Sequence, residues 1–140
     1  MSGGGVDFPV PVEVAYDYLV DPLQRPRWQS SLRAVELVDE GPVGEGFRWI
    51  DVTWPGLRPQ MALTVADRPH RWVEHGRWRA FEAELSLDFT PTPTGCRVTP
   101  EFEVRASGPW APLGVVASVM ARRPVLADLR RAARILGSGS

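Results

Sequence analysis

The sequence predicts an α+β domain: a short strand and two short helices, then an antiparallel sheet, then a long C-terminal helix. Three observations carry this. The apolar period changes from helical to alternating at Leu32, and back to helical after Pro109. "FEAELSLDF" (81–89) sets Phe81, Ala83, Leu85, Leu87 and Phe89 against Glu82, Glu84, Ser86 and Asp88, as in a strand with one wet face. The alternating segments are joined by short connections, which favours antiparallel neighbours. The 140 residues suit a single domain (1–140) with an ordered core of about 6–136.

Val6 to Pro9 can form a first strand. In Val12 to Leu19, the residues Val12, Tyr16 and Leu19 follow helical spacing, and Pro11 suits a first helical turn. Asp21-Pro22 ends that helix, because a residue before proline avoids the α region. A second short helix is expected over Leu23 to Gln29. Strands are expected over Leu32 to Val38, 47–54 ("FRWIDVTW", broken by Pro55-Gly56), 61–67, 71–78, 81–89 and 96–105. "TPTPTG" (90–95) reads as a turn, and Pro100 marks an edge or a bulge because it has no ladder donor. In the last segment, Leu113, Val116, Ala117 and Met120 share a helix face. Leu126, Leu129, Ala133 and Leu136 continue a stripe that Pro124 should kink or divide. The terminal "GSGS" is expected to fray.

Composition removes several function classes. Hydrophobic residues are 44% and charged residues 24%, so the chain can bury a real core. A net charge of −1 points neither to nucleic acid nor to anionic membranes. All 16 basic residues are arginine. No apolar run spans a bilayer, and "MSGGG" opens no secretory signal. One cysteine, Cys96, forms no internal disulfide and fits a reducing, cytoplasmic setting. It has no evident histidine partner and is a poor nucleophile candidate. His70 is expected in an exposed turn, and His75 faces opposite to Trp72 and Trp78. No grouping has metal-ligand spacing, so no metal is expected. "GGG" (3–5) precedes no strand–helix phosphate unit, so no cofactor is expected either.

"PVPVEVAYDYLVDPLQRPRW" (9–28) resembles the opening of the START/helix-grip superfamily (SRPBCC), particularly its polyketide cyclase/dehydrase-like members. "PVGEGFRW" (42–49) and "TGCRVT" (94–99) are similar to two further strand entries of that family. The likeness covers about residues 6–136. It implies a helix-grip fold, in which a curved antiparallel sheet wraps a long C-terminal helix around a hydrophobic cavity that the two short helices close. Relatives bind lipids, sterols, quinones or polyketides, and some cyclise or dehydrate aromatic precursors. The family has no universal catalytic motif, so the fold alone names no reaction.

Four tryptophans follow arginine directly: Trp28, Trp49, Trp72 and Trp78. Strand neighbours point to opposite faces, so tryptophan goes in and arginine out. This parity separates Arg from Trp and argues against a stacking surface for single-stranded nucleic acid. It also turns Asp51 and Glu74 inward. A carboxylate in an apolar cup has a raised pKa unless paired, and could serve as a general acid or base. The alternative is a wet strand end or an arginine partner. The expected cavity wall comprises Trp28, Trp49, Met61, Leu63, Trp72 and Trp78, continued by Phe81, Leu85, Phe102, Leu113, Val116 and Met120. Gly76, Ala83 and Ala117 are expected to leave it space. The partner this predicts is a hydrophobic or aromatic small molecule; the enzymatic alternative is an aromatase/cyclase or dehydratase using Asp51 and Glu74. A protein-interaction role, which the resemblance also allows, would be favoured by a large exposed apolar patch. The arginines of the last helix read as a solvated face, with an anionic partner as the weaker alternative.

Overall fold

A computed structural model describes residues 4–54 and 56–138. The break expected at Pro55, and Gly139 and Ser140 of the expected frayed end, lie outside these residues. The chain runs β1 (Val6–Phe8), α1 (Val12–Val20), α2 (Arg25–Trp28), β2 (Leu32–Leu37), β3 (Arg48–Thr53), β4 (Gln60–Asp67), β5 (Arg71–Trp78), β6 (Phe81–Thr92) and β7 (Gly95–Ala106). A short 3-10 turn (Gly108–Trp110), α3 (Ala111–Met120) and α4 (Arg122–Ser138) follow. The strands form one antiparallel sheet in the order β1-β7-β6-β5-β4-β3-β2. From β2 to β7 it is the expected meander; β1 is added on the far side of β7.

Most strand ends shift by a residue, and larger differences occur at the β6–β7 turn, the second helix and the end of the chain's last helix. β6 and β7 run on through Pro91↔Cys96 and Thr92↔Gly95, so the turn shrinks to Pro93-Thr94. Gly95 makes this possible. Its φ is +155°, and a Cβ there would lie 2.0 Å from the Phe8 carbonyl oxygen, where β1 crosses. The second helix is shorter than expected. The Asp21 carboxylate accepts from the Leu23 amide at 3.0 Å, and the Asp21 carbonyl from the Gln24 amide at 3.0 Å. These bonds hold residues 21–24 in a turn. Pro100 sits where β1 has already ended, since β1 pairs only with Cys96 to Val98, so its missing N–H breaks no ladder bond on that side. Gly137 and Ser138, expected to fray, continue α4, and the Ser138 hydroxyl donates to the Arg134 carbonyl at 2.9 Å.

The core lies between the sheet's inner face and α1, α2 and α4. Phe8, Trp49, Leu63, Trp72, Leu87, Phe89 and Val98 meet Ala15, Tyr16, Leu19, Trp28 and Leu129 there. Tyr16 packs edge-on against both Trp72 and Phe89. A register shift between Leu63 and Val65 reverses parity on β4, so that Ala66, not Val65, opposes Trp72. α4 buries Leu129 and Ala133 of the predicted stripe and adds Asp128 and Ala132.

The C-terminal helix divides at Ala121, and its first half packs opposite to expectation. Leu113, Val116 and Met120 are exposed and do not join the inner face. The side of α3 turned to the protein carries small residues instead: Gly114 is buried, and Ala117 and Ser118 are half-buried. A Cβ on Gly114 would sit 2.9 Å from the Val104 carbonyl oxygen, so only glycine lets the helix approach β7 this closely. The Ser118 hydroxyl accepts from the Val104 amide at 2.7 Å. α3 thereby covers the part of the β7 edge that β1 leaves open, one of the ways proteins protect exposed edges.

Candidate functional site

Asp51 and Glu74 both point inward and are buried, as the Arg-Trp parity requires. Beside them lies a group that sequence reasoning missed. Arg25, on α2, is 1% exposed. Its guanidinium donates to both Glu74 oxygens, at 2.6 and 3.0 Å, and to Gln29 Oε1 at 3.1 and 2.9 Å. Its charge also lies over the rings of Trp28 and Trp49, each 5.9 Å away. Trp72 Nε1 donates to Glu74 at 2.8 Å, and Trp49 Nε1 donates to Asp51 at 2.9 Å. Each indole thus bonds the carboxylate two residues along its own strand. A buried cation with two carboxylates and two indole donors satisfies the desolvation demand that an isolated charge could not.

The electrostatics follow from burial. Desolvation pushes the Asp51 carboxyl up to about 6, against the attraction of Arg25 and the Trp49 bond and with help from Glu74. Burial works against the Arg25 charge, but Glu74 and Asp51 outweigh it and raise its pKa above the ordinary arginine value. Cys96 is fully buried, and desolvation raises its thiol pKa, which leaves it a weak nucleophile. His70 is exposed; His75 is half-buried and bonds Glu82 at 2.9 Å. Among the described residues no group of three or more His, Cys, Asp or Glu could hold a metal, and no helix is long and apolar enough to cross a membrane.

The expected wall residues do not form one wall: Leu113, Val116 and Met120 lie outside on α3, and the others are spread over the inner face. Trp49, Leu63 and Trp72 are packed into solid core. Trp28 and Leu85 line a cavity between sheet and helix with Gln29, Leu87, Val125, Asp128 and Leu129. That cavity holds about 30 Å³, the room of a single water, rather than the ligand-sized space expected. Part of the difference is Met61: its sulfur would lie 2.7 Å from a Cβ on Gly76, so the thioether fills the gap the glycine leaves. Trp78, Phe81 and Phe102 lie at the other end of the inner face with Ala83 and Val104, all half-buried. Trp78 and Phe81 stack there with centroids 6.3 Å apart. This end stays partly open because α3 sits along the edge of β7.

Trp28 Nε1 is buried without a hydrogen-bond partner, at a residue lining the small cavity. Asp128 adds a carboxylate to the same lining. A larger hollow, about 350 Å³, is lined by Trp49 and Met61 of the expected wall together with outward residues of the sheet, among them Arg48, Ile50, Ala62, His75 and Arg77. Its basic side chains are already engaged, Arg48 by Asp39 and both His75 and Arg77 by Glu82.

Solved structures share this architecture at low identity. Protein MLL2253 from Mesorhizobium loti is 15% identical and superposes with a TM-score of 0.76, covering 98% of this chain and 96% of that one. Ara h 8.0201 is 14% identical, with a TM-score of 0.74 over 96% and 95% of the two chains. The di-domain ARO/CYC StfQ from the steffimycin biosynthetic pathway is 16% identical, with a TM-score of 0.73, covering 96% of this chain and 49% of that one. These likenesses establish the helix-grip fold. No curated protein sequence matches the chain. The profile of one sequence family, polyketide cyclase / dehydrase and lipid transport, matches residues 5–138, and to that family the chain belongs.

Proposed function

We propose that the protein binds a hydrophobic small molecule, of lipid, polyketide or quinone type, against the inner face of the sheet beside α4. One observation carries the reading: the half-buried apolar end formed by Trp78, Phe81, Ala83, Phe102 and Val104 continues through Leu85 into the cavity where Trp28 Nε1 has no partner. A ligand body lies on the open apolar end, and its polar tip reaches inward. There Trp28 Nε1 donates to a carbonyl or hydroxyl oxygen, and Asp128 accepts from a hydroxyl. Such a pocket, apolar with a few placed polar groups, suits ligands of this class. Anything larger than a water in the cavity itself requires the first turns of α4 to move aside.

The test is a fluorescence titration with a hydroxylated anthraquinone and with a fatty acid. Saturable binding to the wild type is expected, together with loss in Leu85→Trp, which fills the passage. Trp28→Phe should weaken the anthraquinone roughly fivefold to tenfold, the worth of one hydrogen bond to an otherwise unpaired donor. Absence of saturable binding by the wild type to either probe rejects the reading.

The raised Asp51 pKa supports a second reading, proton transfer in a cyclase or dehydratase, with Glu74 as its neighbour. It is the weaker of the two, because Glu74 is held by Arg25 and neither carboxylate lines the small cavity. Loss of turnover of an aromatic polyketide substrate in folded Asp51→Asn and Glu74→Gln variants would favour it; full activity in both rejects it.

A further inference from the structure

We propose that α3 is a docking surface for an anionic lipid bilayer. Six of the thirteen large apolar side chains exposed among the described residues lie within 110–120: Trp110, Leu113, Val115, Val116, Val119 and Met120. At 100° per residue the five helical ones form one continuous face, opposite the Gly114, Ala117 and Ser118 side that seats α3 on β7. Exposed apolar patches of this kind mark interaction surfaces. Their position is fixed by the protein-side small residues, so the apolar face cannot be folded inward without losing the Ser118 bonds to β7.

The charge around this face selects the partner. No charged residue occurs from Ala106 to Ala121. Beyond it lie Arg122 and Arg123, both exposed, then Arg130, Arg131 and Arg134, also exposed. Asp128, the sole acid after Glu103, is buried, and Glu103 itself is bridged by Arg105. A chain of net charge −1 therefore concentrates positive charge beside its largest exposed apolar run. Apolar side chains entering the acyl boundary, a tryptophan at headgroup level and flanking arginines on anionic headgroups are the recognised chemistry of interfacial helices. A second copy of the chain suits this face less well, because the same segment offers no free carboxylate to the arginines.

The experiment is co-sedimentation of the full chain with vesicles of mixed phosphatidylcholine and phosphatidylglycerol, and with vesicles of phosphatidylcholine alone. The wild type is expected to bind the anionic vesicles, less so at high salt. Val119→Glu with Met120→Glu should abolish binding, and Arg122→Gln with Arg123→Gln should weaken it roughly thirtyfold. All four positions are exposed, and circular dichroism checks that each variant remains folded. The proposal is overturned if the wild type ignores anionic vesicles, or if the double glutamate variant binds them equally well. It is also overturned if sedimentation equilibrium finds a dimer that the glutamates dissociate. Binding of a soluble anthraquinone without vesicles should be unchanged in the glutamate variant, so failure of the docking surface and failure of the ligand site are told apart.

Discussion

Arg25 and Glu74 are 2% and 4% exposed at their side chains, so neither has water to fall back on when its partner is removed. Glu74→Ala is expected to cost about 3–5 kcal/mol of stability in urea unfolding, because it leaves a buried guanidinium without its bonded carboxylate. The exposed pair Arg71–Asp88 provides the contrast: Asp88→Ala should cost less than about 1 kcal/mol. Equal losses in the two variants would show that burial does not set the scale. Asp51 acts in the opposite direction. Its folded pKa of about 6 lies above the ordinary 3.8, so between those values the folded chain holds a proton that the unfolded chain has released. Stability attributable to Asp51 is therefore full at lower pH and falls as pH rises through that window. A shift of roughly two units corresponds to about 3 kcal/mol at most. Asp51→Asn should thus stabilise the protein at pH 7 and flatten the dependence between about pH 4 and 6; superimposable pH profiles for the two proteins would reject the assignment.

At the scale of an element, α3 illustrates how small residues decide which side of an apolar helix faces in. Its large side chains occupy more than the face a core would need, so hydrophobic spacing alone does not orient it. Gly114, Ala117 and Ser118 do, since only that side can approach a backbone edge. Gly114→Val puts a β-branched side chain against the Val104 carbonyl, which cannot yield. The expected result is a detached α3 on an otherwise intact fold, seen as rapid proteolysis between Ala106 and Ala121 with unchanged sheet signals. Ser118→Ala removes the acceptor of the Val104 amide and should cost about 1–2 kcal/mol. Faster hydrogen exchange at that one amide checks it; exchange at the wild-type rate would mean that Ser118 does not protect the edge.

For the whole molecule, the meander of β2 to β7 and the inward turn of Asp51 and Glu74 were legible because alternation repeats over many residues and a one-residue error would expose Trp49 and Trp72. Arg25 was not legible. It sits on a helix of four residues with Arg27 two positions away, too short for a periodic signal, and its partner is 49 residues distant. The arginine partner stood only as an alternative for the carboxylates, with no residue attached. The filled cavity was equally hidden, because whether Met61 occupies the gap at Gly76 is a matter of rotamer and register, not of pattern. The long-range pairing at the sheet's far edge has a consequence in time. β1 joins β7 through Val6↔Val98 and Phe8↔Cys96, with Asp7 and Arg97 bonded across 90 residues of chain. β1 thus leaves the ribosome well before its partner strand, since 90 residues separate Asp7 from Arg97. Until then Phe8 has no strand to join, and every nascent chain passes through a stage in which β1 waits, apolar and unpaired, for β7.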